Sequence, residues 1–147
     1  MKKNYLMLSL VLGITWTAAF ANNDPKLNSR VLESFKKEFP GAQYVKWNDD
    51  KDFLKATFVL ADYRAEAWFD ANGELLGTIR DLLYDQLPLT VMRGVERRFP
   101  DASPLEIREI TNSNGTLYKL VIESKKRKYN VDATPDGLIS VTKKTKK

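Results

Sequence analysis

Asp49, Asp50 and Asp52 stand close together in a chain of 147 residues that contains no histidine and no cysteine. Carboxylates at such spacing are raw material for catalysis by a carboxylate pair, as in glycosidic cleavage. The missing residue types narrow the alternatives. Without imidazole or thiol there is no Ser-His-Asp triad, no thiolate nucleophile and none of the usual nitrogen and sulfur ligand sets for zinc. The three aspartates also sit beside Asn48, between two runs of strand-forming residues, where Asx residues do ordinary turn chemistry. Asp70-Ala71-Asn72-Gly73-Glu74 has a faint likeness to a calcium loop but lacks its ligand sequence, and reads as a hairpin built around Asn-Gly. No catalytic residue, metal site or cofactor is expected, and carboxylate enzymology ranks behind two kinds of binding surface.

The first surface is aromatic. Alternation along 64–69 puts Ala65, Ala67 and Phe69 on one side of a strand and Arg64, Glu66 and Trp68 on the other. The same rule along 53–60 sends Leu54, Ala56, Phe58 and Leu60 inward and Phe53, Lys55, Thr57 and Val59 outward. Trp68 and Phe53 would then share an open sheet face with Val59, Lys55, Arg64 and Glu66, the mixture of aromatic anchors and charge found at protein interfaces. The competing reading is that these rings merely stiffen the sheet. The second surface is basic: Lys125, Lys126, Arg127 and Lys128, followed by Tyr129. It could meet a polyanion or an anionic membrane surface, or it could be a solvated hairpin end that keeps a sheet edge from aggregating.

The elements that must hold these residues repeat. Leu27, Val31, Leu32, Phe35 and Phe39 form a helical stripe that starts near Asp24-Pro25 and stops before Pro40. Strands are predicted at 43–48, 53–60, 62–69 and 74–80, divided by 48–50, 61–62 and 70–73. Val91, Met92, Val95 and Phe99 recur at one constant interval from Val31, Leu32, Phe35 and Phe39, in a helix opened by Leu87-Pro88. Strands at 105–111, 116–123, 127–132 and 138–142 complete the second set, with Phe69-Asp70-Ala71 answered by Val131-Asp132-Ala133. Phe39-Pro40-Gly41-Ala42 and Phe99-Pro100-Asp101-Ala102 mark the ends of equivalent helices, each Phe plugging a helix base. Leu82, Leu83 and Tyr84 are expected to pack across the joint. The fold class is α+β: two tandem α-β-β-β-β repeats forming an antiparallel sheet with helices on one face.

A helix ending in F-P-[GD]-A, then strands, then an apolar residue followed by Asp and a Gly-containing turn, all occurring twice, resembles the PepSY-like group of exported bacterial proteins. That group is related in fold to the β-lactamase inhibitor protein. The resemblance spans residues 25–143 and implies an antiparallel sheet backed by helices, with a role in binding or inhibiting other envelope proteins. The cysteines of the inhibitor are absent here, and no inhibitory contact carries over residue by residue.

Met1-Lys2-Lys3, the apolar run 5–14 and Ala19-Phe20-Ala21 have the order of a secretory signal with its cleavage site. Residues 1–21 are therefore assigned to the signal and 22–147 to one domain. Within it lie repeat one at 24–80, a linker at 81–86, repeat two at 87–143 and a frayed basic tail at 144–147. The formal net charge is +5, and Lys2 and Lys3 contribute two of its positive charges. What remains is too mild for a nucleic-acid binder. The sequence thus points to a non-enzymatic periplasmic or secreted module, with no transmembrane segment after processing. It would engage another exported or envelope protein through the sheet face. The alternative is polyanion or membrane-surface binding through 125–128. Mass spectrometry of the exported protein is expected to find an N-terminus at or beside Asn22; an intact Met1 form in the soluble periplasmic fraction would contradict the signal assignment.

Overall fold

The computed structural model describes residues 27–146, so the signal segment, the Asp24-Pro25 helix start and Lys147 lie outside the described residues. Two helices and eight strands succeed one another as α1 (Ser29–Glu38), β1 (Gln43–Asp50), β2 (Phe53–Leu60), β3 (Tyr63–Phe69), β4 (Leu75–Asp81), a 3₁₀ turn (Tyr84–Gln86), α2 (Leu89–Arg98), β5 (Ser103–Asn112), β6 (Gly115–Glu123), β7 (Arg127–Ala133) and β8 (Ile139–Lys146). The strands lie in a single antiparallel sheet in chain order, leaving β1 and β8 as its edges. Neighbours are joined by hairpins, except at β4 and β5, where the connection runs through α2.

α1 starts where Asn28 accepts the Val31 amide on its side chain, so Leu27 precedes the helix and is not part of its stripe. Both helices are ten residues long, and both end on a phenylalanine of nearly equal backbone geometry: Phe39 at φ −127°, ψ 62° and Phe99 at φ −135°, ψ 62°. The turn after each helix is shared as well, with the Ala42 amide donating to the Phe39 carbonyl and the Ala102 amide to the Phe99 carbonyl, each at 3.2 Å. Each helix is also approached by a glycine of positive φ. Gly73 lies against the Arg30 carbonyl and Gly137 against that of Thr90, where a Cβ would collide with backbone. The two hairpins carrying these glycines have one hydrogen-bond pattern, Asp70 to Glu74 in the first and Thr134 to Leu138 in the second. Phe69 thus precedes the first hairpin as Ala133 precedes the second, two residues past the Val131 that the sequence pattern matched to it.

Each helix seals its own stretch of the same sheet face. Val31 and Phe35 of α1 are buried with Ala56, Phe58, Ala67 and Phe69. Val91 and Val95 of α2 are buried with Ile107, Leu120, Ile122 and Val131. Between the two clusters the register sets Ala65 opposite Arg80, Arg80 opposite Glu109 and Glu109 opposite Tyr118. The joint is thus floored by an ion pair, with Arg80 Nε 2.7 Å and Nη2 3.3 Å from the two Glu109 oxygens. Glu109 raises the Arg80 pKa, and burial followed by the Glu109 charge raises that of Tyr118.

Several expectations give way here. Asp49 and Asp50 belong to β1, and Lys51-Asp52 make the turn, because Asp50 pairs with Phe53. Lys143, Lys144, Thr145 and Lys146 are not a frayed tail; they form the end of β8, paired with β7 as far as Arg127↔Lys146. Leu82 is buried and Tyr84 packs against the second cluster, but Leu83 is 55% exposed.

Phe39 and Phe99 are half-buried, and their surroundings differ. Phe39 lies 4.8 Å from Phe58, 5.4 Å from Phe35 and 6.4 Å from Phe69, whereas Phe99 has Tyr129 at 5.0 Å. Phe39→Ala is therefore expected to cost about 3 kcal/mol, the lower end for an aromatic deletion, and Phe99→Ala about 2 kcal/mol, read from urea unfolding midpoints. Equal losses would mean that the ring cluster around Phe39 adds nothing. A second prediction concerns the β2–β3 turn, where Ala61 and Asp62 both take positive φ, 49° and 67°. That is the conformation favoured in tight hairpins, and alanine carries a steric cost in it. Ala61→Asn is expected to raise the melting temperature, by a gain on the order of 0.5–1 kcal/mol; a fall would show that the Ala61 side chain is needed.

Candidate protein-binding face

Strand pairing decides which side chains reach the face that the helices leave open. Lys55 lies opposite Trp68, Thr57 opposite Glu66 and Val59 opposite Arg64. On the next strand Trp68 faces Gly77 and Glu66 faces Ile79. Farther on, Ile79 faces Ile110 and Gly77 faces Asn112. These residues alternate with the buried Ala56, Phe58, Ala67 and Phe69, so Phe53, Lys55, Val59, Arg64, Glu66 and Trp68 all stand on the side away from the helices. Trp68 and Phe53 are half-buried on that side, not fully displayed.

Their partial burial has a local cause. Phe53, Trp68, Leu76, Ile79 and Ile110 surround a shallow cavity of about 340 Å³ whose floor includes Gly77. Gly77 lies opposite Trp68 and offers no side chain, which leaves room beside the indole. Its backbone is close to β5: a Cβ added there would stand 2.9 Å from the Thr111 carbonyl oxygen. Leu76 is the extra residue of a bulge, since Trp68 pairs with Gly77 and Phe69 with Leu75, and it is 43% exposed. Val59 lies away from the cavity. Arg64 and Glu66 line a separate small dip with Ile79, Asp81 and Arg108.

Charge around the apolar centre is matched in sign. Glu66 pairs with Arg64 and, at 3.7 Å, with Lys55, whose Nζ is 6.0 Å from the Trp68 ring centroid. Arg108 pairs with Glu106 at 2.7 Å and with Asp81 at 3.4 Å. Partly exposed pairs of this kind add little to stability.

Leu76, Ile79 and Ile110 are members of this face that reading single strands overlooks. Ile79 and Ile110 become neighbours only through the β4–β5 pairing, and Leu76 is turned outward by the bulge. The signal that could have found the isoleucines is their parity: each alternates with polar residues of the joint, Thr78 and Arg80 in β4 and Glu109 and Thr111 in β5.

The basic run is divided. Lys125 and Lys126 are exposed at the β6–β7 tip, Lys128 stands opposite Glu123 in the β6–β7 register, and Arg127 is half-buried opposite Lys146. Lys144 reaches 5.8 Å from the Tyr129 ring centroid. The carboxylates do turn work where they are in turns: Asp70 accepts the amides of Asn72 and Glu74, and the Glu74 bond above all holds its carboxyl below the ordinary value. Among the described residues no group of acidic side chains is arranged to hold a metal ion, and no helix is long and apolar enough to cross a membrane.

No family model and no curated protein matches the chain. Solved structures do. A candidate periplasmic protein from Bacteroides eggerthii superposes with a TM-score of 0.65 at 21% identity, over 81% of this chain and 88% of its own. A BLIP-like protein from Bacteroides fragilis gives 0.65 at 20% identity, over 81% and 85%. A DUF2874 family protein from Bacteroides ovatus gives 0.65 at 22% identity, over 80% and 86%. At these identities what is shared is the fold, an α+β chain with an antiparallel sheet.

Proposed function

We propose that this chain is an exported, non-enzymatic binding or inhibitory module that engages an envelope or secreted protein through the open face of its sheet. The observation that carries the reading is the apolar cavity bounded by Phe53, Trp68, Leu76, Ile79 and Ile110, on the side the helices do not cover and ringed by charges of both signs. Apolar anchors inside a polar rim are what a protein partner needs to exclude water from a few energetic contacts. The dimensions are compatible: eight strands spaced by about 4.8 Å, each several residues long, give a face of roughly 800 Å², about one partner's share of a standard interface. The likeness to a BLIP-like protein supports a binding role, and the likeness to a candidate periplasmic protein supports export.

The two halves are read as tandem copies of one α-β-β-β-β unit. The equal helices, their matched phenylalanine ends and the matched glycine contacts support this. The PepSY-like assignment rests on the sequence pattern alone.

Trp68→Ala is expected to cost at most about 1 kcal/mol of stability, as a half-buried cross-strand contact. It should weaken capture of the native envelope partner about thirtyfold, the equivalent of losing a central interface anchor. The measurement is crosslinking capture from the native envelope at moderate salt, compared among the parent, Trp68→Ala and a form with Lys125, Lys126 and Lys128 changed to serine. Loss in the serine form with indifference to Trp68 would transfer the function to the basic hairpin and a polyanion or anionic surface.

A further inference from the structure

The sheet has one internal joint that no hairpin closes, β4 against β5, and two outer edges, β1 and β8, that carry the counterparts of the same strands. Pairing within each half identifies the counterparts. After the first glycine turn Phe69 pairs with Leu75, and farther along Ala65 pairs with Arg80. After the second, Ala133 pairs with Ile139, and equally far along Tyr129 pairs with Lys144. Lys144 thus holds in β8 the place of Arg80 in β4, and Lys143 that of Ile79. On the other side, Asp49 pairs with Leu54 as Glu109 pairs with Tyr118. Asp49 therefore holds in β1 the place of Glu109 in β5, and Asp50 that of Ile110.

We propose that copies of this chain associate head to tail, the β8 edge of one against the β1 edge of the next, in the register in which β4 meets β5. In that register Lys144 meets Asp49 where Arg80 meets Glu109, and Lys143 meets Asp50 where Ile79 meets Ile110. One ion pair falls on the helix face and one on the open face. All four side chains are exposed, and among the described residues no strand pairs with either edge. Lysines on an edge normally keep like edges apart, and β8 against β8 would indeed set lysine near lysine. The acidic β1 edge makes the head-to-tail pairing the one in which opposite charges meet. A bulge in β1 between Gln43 and Lys46, with Tyr44 at φ 53°, limits the regular contact to Trp47–Asp50 against Lys143–Lys146. So short a contact makes the association concentration-dependent, and because it is heterologous it yields an open chain or a ring of copies.

Sedimentation velocity on the chain beginning at Asn22, at low salt, tests this. The mean mass of the parent should climb with concentration up to about 1 mM, a level at which weak association is still seen. Lys143→Glu with Lys144→Glu, and separately Asp49→Lys with Asp50→Lys, should each stay monomeric with melting curves like the parent's. An equimolar mixture of the two should associate again, since each reversed edge then finds its complement in the other variant. Should a reversed form fail to fold, Lys144→Gln and Asp49→Asn serve instead, and each must weaken association several-fold. A parent that remains monomeric throughout overturns the proposal, as does association indifferent to these changes or a mixture that stays monomeric.

Discussion

One constraint governs the molecule: a single antiparallel sheet with strands in chain order carries one alternation from β1 to β8, and among the described residues two ten-residue helices cover it. Once Phe69 and Ala67 face α1, parity passes through each pairing to Arg80, Glu109, Ile107 and Leu120, and α2 must settle on the same side to bury the last two. Arg80 and Glu109, at the β4–β5 joint, belong to neither helix's apolar cluster. The uncovered centre of that face therefore has to be polar, and the Arg80–Glu109 pair, flanked by Thr78 and Thr111, meets that need. With Arg80 half-exposed, its worth lies in fixing the β4–β5 register more than in net stability. The two apolar clusters on either side share no buried side chain, so core substitutions in one should add to those in the other.

Much of this frame is legible in the amino acids because it is written in local terms. Helix ends are marked by Phe-Pro, hairpins by Asn-Gly and Asp-Gly, and β2 and β3 by alternation clear enough to assign every side chain to a face. What escapes is set by longer-range geometry. The lysines of β8 have low strand propensity and are held by the pairing with β7. Asp49 and Asp50 look like turn residues and are drawn into β1 by β2. Leu76 is oriented by a bulge, which depends on the match between two strands and not on either alone. The correspondence of Phe69 with Ala133 is hidden because the β5–β6 hairpin is longer than β1–β2, so the interval that relates the two helices fails for the strands beyond that hairpin.

That correspondence also separates framework from open face. Where Lys55 stands opposite Trp68 in the first half, Lys119 stands opposite Asp132 in the second, 3.0 Å apart in an ion pair. Inward positions beneath the helices keep apolar character in both halves, because each helix needs something to bury. Outward positions are under no such demand, and they diverge: apolar around Trp68, Leu76 and Ile79, charged around Arg108, Lys119 and Asp132. Among the described outward positions, apolar residues gather at the first half and the joint, around Trp68, Leu76, Ile79 and Ile110, where the proposed binding surface lies.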